Sequence, residues 1–267
     1  MEYEGNIIKM RTEIGSPVNY YFEIGSKEFC LNDFLGKKLR FSYSGQINCI
    51  SCGKRTKTSF GGGFCYSCFK NAPEASRSII SPELSLAHFG IGRDLEWVKK
   101  HDLVDHFVYL ALSSAAKVGV TRYNQIPIRW IDQGASEAIR IAKTPNRHIA
   151  GIIECFLKNY YTDKTNWRDM VKNKVNHNID LLEEKQKAID LLPGELKQYA
   201  FEDNEITKIK YPVIEYPKNV VSFSFDNQPV IEGRLTGIKG QYMFFDTDRV
   251  INIRKHSGYF IKVENLS

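Results

Sequence analysis

Apolar residues recur along this chain in two rhythms, and the changes from one to the other divide it into regions. Residues 6–10, 18–24 and 39–43 are short β-type runs broken by turn residues such as Gly36, which predicts a small N-terminal β unit. Residues 73–106 read as connecting sequence, with Pro73, Pro82 and one short helix at 94–101. Two apolar β runs follow, 107–112 and 116–120, separated by Ser113-Ser114-Ala115, the length of a hairpin loop. The period then becomes helical. Residues 136–143 read as a short helix, and Thr144-Pro145 supplies an N-cap and a first-turn proline for a second helix reaching about residue 161. Its Ile149, Ile152, Ile153, Phe156, Leu157 and Tyr160 recur at intervals of three and four, one buried face. A third helical stretch spans 167–192 and stops at Pro193-Gly194. Five short β runs, 220–225, 230–238, 241–245, 250–254 and 259–263, close the chain, and their spacing predicts a small β-barrel.

The whole is an α+β pattern, and 267 residues with 42% hydrophobic and 25% charged residues can bury two or three cores. Intrinsic disorder and a fold held by metal alone are thereby excluded. No apolar run approaches the roughly 18 residues of a membrane span, and Met1-Glu2-Tyr3-Glu4 is unlike a secretory leader. A cytoplasmic protein with no membrane partner is therefore expected, its six cysteines being thiols or metal ligands rather than disulfides. The net charge of +6 is unevenly spread. Residues 49–72 carry Lys54, Arg55, Lys57 and Lys70 with no acid, and residues 107–170 carry nine basic residues against five acidic. A phosphate-binding surface would have this distribution, with Lys54, Arg55 and Lys57 on one face with Arg122 and Arg147 and nucleic acid, DNA or RNA, as the partner.

Cys49-x-x-Cys52 and Cys65-x-x-Cys68 flank a twelve-residue insert containing Gly61-Gly62-Gly63. Two tight thiolate turns facing each other supply the tetrahedron that structural zinc requires, and four cysteine ligands leave no open position for catalysis. Cys30 and Cys155 stand apart and read as core thiols.

The hairpin Phe107-Val108-Tyr109-Leu110-Ala111 and Lys117-Val118-Gly119-Val120-Thr121, followed by Arg129 and by Glu154 on a helix, resembles the GIY-YIG endonuclease superfamily. It is most similar to variants whose second motif reads Lys-Ile-Gly-x-Thr. The chain as a whole resembles an uncharacterised bacterial family that joins a zinc ribbon to this module, with 117–135 its most distinctive stretch. Phe107 and Lys117 replace the motif's glycine and tyrosine, and the superfamily match covers about 107–170. The resemblance implies that Tyr109 acts in proton transfer, Arg129 stabilises phosphate charge and Glu154 holds one Mg2+ or Mn2+, while Lys117, Arg122 and Arg147 contact nucleic acid. Together with the apolar pattern along the chain it gives five regions: a β unit with zinc ribbon at 1–72, a connector at 73–106, a GIY-YIG-like core at 107–170, a helical linker at 171–217 and a small β-barrel at 218–267. The function implied is nucleic-acid processing by metal-dependent phosphodiester cleavage; a zinc-ribbon module that binds nucleic acid or protein without cutting is the alternative. Taken singly, Tyr109 also suits a half-buried strand tyrosine, Glu154 an ion pair with Lys158 one turn on, and Arg129 next to Trp130 a packing anchor.

Overall fold

The computed structural model describes residues 2–266 and divides into two compact units, Met1–Lys70 with Ile209–Ser267, and Asn71–Lys208. In chain order the first unit begins with β1 (Glu2–Asn6), β2 (Arg11–Glu13), β3 (Asn19–Ile24), β4 (Lys27–Cys30), β5 (Lys38–Asn48), β6 (Arg55–Thr56) and α1 (Tyr66–Asn71). The second holds α2 (Leu95–His101), β7 (His106–Leu112), β8 (Ala116–Arg122), α3 (Ile128–Asp132), β9 (Glu137–Thr144), α4 (Arg147–Leu157), α5 (Trp167–Val171), α6 (Leu181–Leu191) and β10 (Thr207–Lys208). The chain then re-enters the first unit with β11 (Val221–Phe223), β12 (Val230–Lys239), β13 (Tyr242–Phe245), β14 (Arg249–Asn252) and β15 (Tyr259–Asn265).

The first unit is built on one eight-stranded sheet in the order β1-β15-β5-β12-β13-β14-β11, with β6 paired to β5, and a small β2-β3-β4 sheet. β5 alternates, sending Leu39, Phe41 and Ile47 inward, and β15 matches it with Tyr259, Ile261 and Val263. Phe41 meets Phe22 and Phe245 edge-on, with ring centroids 5.9 and 5.7 Å away. The C-terminal strands thus continue a sheet begun by N-terminal ones, with Phe41 opposite Val263 and Phe41 opposite Ile231. The expected separation of a 1–72 region from a self-contained 218–267 barrel is replaced by this shared sheet, because β12 and β15 find their pairing partners in β1 and β5.

The second unit has a four-stranded sheet, β10-β9-β7-β8, with β7 buried at every position. Residues 136–143, expected to be helical, fall instead almost wholly in strand β9. Ile139 and Ile141 bracket Arg140, and the open edge of β7 supplies a full antiparallel ladder, which outweighs a weak local preference. Val108, Leu110, Ile139, Ile141, Ile153, Leu157 and Leu181 form the core where α4 and α6 cover this sheet. Each such side chain contributes about 1.5–3 kcal/mol by leaving water. α4 starts two residues later than expected: Asn146, not Thr144, caps it by accepting the Ile149 N–H, and Pro145 lies outside the helix. The long helical stretch at 167–192 is broken into α5 and α6, and Asp180 caps the second piece.

Candidate metal centre and candidate active site

The four cysteines converge: their Sγ atoms all lie within 4.8 Å of one another, and Cys52 and Cys65 are 3.9 Å apart. A tetrahedron with metal–sulfur bonds of about 2.3 Å has edges of about 3.8 Å, so the spacing fits zinc. The backbone shapes both turns. Gly53 N–H donates to the Cys49 carbonyl and Phe69 N–H to the Cys65 carbonyl, while Ile50 N–H reaches the Gly63 carbonyl and ties the insert to the first turn. Gly63 has φ +133°, and a Cβ there would lie 2.8 Å from the Ile50 side chain, so glycine is required. Burial opposes ionisation of the Cys49 thiol, but N–H groups of Cys65, Cys52 and Ser51 outweigh it and bring it down to about 6, favouring the ligating thiolate. The cluster is compatible with a structural zinc site. Among the described residues no other group of three or more His, Cys, Asp or Glu side chains converges in this way. Cys30 and Cys155 are only half-buried, so neither is a fully enclosed core thiol.

Exposed aromatic and basic groups surround the knuckles. Phe60 stacks on Phe69 and meets Tyr66 edge-on, and Tyr66 is 59% exposed beneath the Lys70 ammonium, 5.9 Å from its ring. Lys54, Arg55 and Lys57 are exposed on the same short segment.

In the second unit Tyr109, Lys117, Arg129 and Glu154 act on one another although they come from β7, β8, α3 and α4. Tyr109 sits directly opposite Gly119, where a Cβ would lie 2.6 Å from the phenolic oxygen, so the missing side chain is the space the ring occupies. The Tyr109 hydroxyl donates to Gln133 Oε1 at 3.2 Å, and its ring meets Trp130 edge-on at 5.9 Å. Burial pushes the phenol up; the Arg129 guanidinium opposes this and the Glu154 carboxylate adds to it. Lys117, only 7% exposed, is brought down to about 8, chiefly by burial and secondly by Arg129, against the attraction of Glu154 and Asp163. Glu154 is 8% exposed, so it is not a solvated surface acid; burial raises it, and Lys158 opposes that from 3.3 Å. Its Oε2 is the atom that faces the Lys158 ammonium. Lys158 also pairs with Asp163 at 3.7 Å. Arg129 and Glu154 thus act electrostatically on both Tyr109 and Lys117, and Lys158 bridges Glu154 and Asp163.

The other expected contacts are placed differently. Arg147 is turned inward: its guanidinium donates to the Ser78 and Ile79 carbonyls at 2.7 and 3.1 Å and faces Asp102 at 3.9 Å. Arg122 is half-buried and feels the same Asp102. Lys54, Arg55 and Lys57 belong to the first unit, Arg122 and Arg147 to the second. Gln133, Trp130, Lys158 and Asp163 escaped the sequence reading as site residues. The run from Trp130 to Gln133 lies inside the stretch already singled out, and Glu154 with Lys158 was visible only as a helical pair.

An α+β protein with four converging cysteines that could hold a metal ion is the class these features define. The chain belongs to the family described as "Protein of unknown function (DUF2797)", whose model matches residues 36–261. No curated protein matches it. No solved structure matches it either. No described helix is long and apolar enough to cross a membrane.

Proposed function

We propose that this protein processes nucleic acid, binding a phosphodiester at the cluster of Tyr109, Lys117, Arg129 and Glu154 and hydrolysing it in the manner of a GIY-YIG-like core. The observation that supports the reading is that Arg129 and Glu154 act electrostatically on both Tyr109 and Lys117, although the four side chains come from four separate elements. Phosphodiester cleavage needs a cation against the developing charge, a group that exchanges a proton near neutral pH and an anchor for a metal. Arg129 serves as the phosphate clamp. Lys117, held at about 8, is neutral often enough to take the proton of the attacking water. Tyr109, kept protonated, donates a hydrogen bond. As water adds to phosphorus its proton passes to the Lys117 amine, the P–O bond to the leaving sugar oxygen breaks, and the resulting Lys117 ammonium returns a proton to that oxygen, directly or through water. The buried Glu154 carboxylate would hold one Mg2+ or Mn2+ that keeps its other ligands as water and phosphate oxygens. Such an ion, when bound, supplies Lewis-acid stabilisation of the phosphate.

In the same proposal the cysteine cluster carries structural zinc, the setting is cytosolic, and the exposed Tyr66 with Lys54, Arg55, Lys57 and Lys70 gives nucleic acid a stacking and phosphate-binding surface. A second reading, recognition without cutting, is favoured by the complete burial of Tyr109 and the Lys158 ammonium beside Glu154. A nuclease assay on mixed DNA and RNA structures with varied divalent ions separates the two. Cleavage that is lost in Glu154→Gln while binding persists supports the enzyme; binding without cleavage by the wild-type protein supports recognition alone. Binding that does not weaken as salt rises refutes both, because phosphate contacts by lysine and arginine release counterions.

A further inference from the structure

Beside the four cysteines the first unit leaves an aromatic surface open to water. Tyr66 is 59% exposed and Phe69 38% exposed, and Phe60 supports both, stacked on Phe69 with ring centroids 5.9 Å apart and edge-on to Tyr66 at 5.5 Å. The glycine-rich insert makes room for this group: a Cβ at Gly61 would lie 2.9 Å from the Phe69 ring. A tyrosine as exposed as Tyr66 keeps ring surface free for a flat partner.

The cations around these rings have no acid to answer them. Lys54, Arg55, Lys57 and Lys70 are exposed, residues 49–72 contain no Asp or Glu, and none of the four forms an ion pair among the described residues. Elsewhere in the same unit exposed cations are matched: Arg11 with Glu13 and Glu28, Lys38 and Arg40 with Glu232, and Lys262 with Glu2 and Glu264. The turn bearing the exposed Arg254 and Lys255 lies against the insert, the Arg254 carbonyl 3.9 Å from where a Cβ of Gly62 would stand, so positive charge continues on that side. Unmatched charge beside exposed rings calls for a partner that brings both anions and flat faces.

The candidate partners differ in what they bring. An apolar protein surface would bury the cations without counter-ions. An acidic peptide carries anions but leaves the rings without a flat partner. A duplex has phosphates, but its bases are stacked on one another and present only their edges in the grooves. A single strand offers regularly spaced phosphates and base faces that are free to stack. We propose that the knuckle surface binds single-stranded nucleic acid, with one base stacked on Tyr66 and the adjoining phosphates at Lys54, Arg55, Lys57 and Lys70, an assignment that rests on the nucleic-acid reading above but not on cleavage at the Tyr109 cluster. The Lys70 ammonium, 5.9 Å from the Tyr66 ring centre, then sits where the phosphate next to the stacked base needs a cation. The strand is either DNA or RNA.

Fluorescence anisotropy of zinc-loaded, full-length Glu154→Gln protein tests this with labelled oligo-dT and oligo-U strands, a hairpin duplex and unlabelled poly-glutamate as competitor. Single strands should bind more tightly than the duplex. Tyr66→Ala should weaken them about tenfold, the scale of one lost stacking contact, and Tyr66→Phe, which keeps the ring, should recover most of that. With about four phosphates neutralised, raising salt from about 50 to about 200 mM should weaken binding about 50-fold, and the Lys54→Ala, Lys57→Ala double variant should reduce that loss to about sevenfold. Zinc content and near-UV circular dichroism matching the parent protein show that each variant is folded. Tight binding of the DNA or the RNA strand, lost in Tyr66→Ala, supports the proposal and identifies which of them is the source. Preference for the duplex, or displacement by poly-glutamate as readily as by a single strand, overturns it, the second result pointing to an acidic protein. Single-strand binding that survives Tyr66→Ala and is lost in Arg129→Ala overturns this site while leaving the nucleic-acid reading in force. Absence of binding to every nucleic-acid probe overturns both.

Discussion

Lys117→Met removes a buried ammonium at nearly constant length, and the structure says it should make the second unit more stable. Lys117 is held at about 8 rather than the ordinary 10.5 because burial penalises its charged form more than Glu154 and Asp163 repay. At 1.36 kcal/mol per pH unit the difference corresponds to about 3 kcal/mol, which relaxation of the surroundings would reduce. The sign follows from proton counting. Below pH 8 both folded and unfolded lysine are protonated and the full penalty applies. Between pH 8 and 10.5 the unfolded chain still holds the proton and the folded one does not, so stability rises with pH across that window. Above it the penalty is gone. Urea unfolding followed by tryptophan fluorescence is the natural assay, because Trp97, Trp130 and Trp167 all belong to the unit that contains Lys117. The variant should exceed wild type by about 1–3 kcal/mol at pH 7, with the gain shrinking toward zero near pH 10.5. A variant no more stable at pH 7, or a gain that is the same at both ends of the window, would show that Lys117 is not a desolvated ammonium and would remove it as a proton acceptor.

Two further outcomes follow from the sites. Cys65→Ser should lose the bound metal and cost the knuckle region its folding energy, since thiolate binding and folding are one equilibrium there; metal analysis of protein prepared without chelator, with hydrogen exchange over residues 47–70, checks it, and metal-free wild-type protein would end the zinc assignment. Gly119→Ala should displace the Tyr109 hydroxyl and destabilise the second unit by about 1–3 kcal/mol, as overpacking does; a denaturation midpoint unchanged from wild type would show that the ring does not depend on that space.

The features legible in the sequence were those set by short-range chemistry. The cysteine spacing announces its own geometry, and the hairpin from Phe107 to Thr121 is written as two apolar runs on either side of a three-residue loop. Glycine at 119 and tyrosine at 109 could be paired from the hairpin register alone. What failed was decided by distant partners. Glu137–Thr144 holds isoleucines that suit helix or strand, and only the neighbouring edge of β7 settles the matter. Arg147 looked like a surface cation because nothing nearby in sequence marks the Ser78 and Ile79 carbonyls as its acceptors. Ser85 donates to the buried Asp102 carboxylate, a pairing that no periodicity announces.

The shared sheet of the first unit also dictates an order of events during synthesis. β5 leaves the ribosome long before β12 and β15, the strands it must lie between, while everything from Asn71 to Lys208 emerges in one continuous stretch. The second unit can therefore complete its fold while the first still waits as an unpaired strand and a pair of knuckles. During that interval β5 offers bare backbone edges to any neighbouring chain, a hazard that metal capture by the four cysteines would limit by fixing the segment next to it. Overexpression in metal-poor medium should accordingly send this protein into aggregates during translation rather than after it.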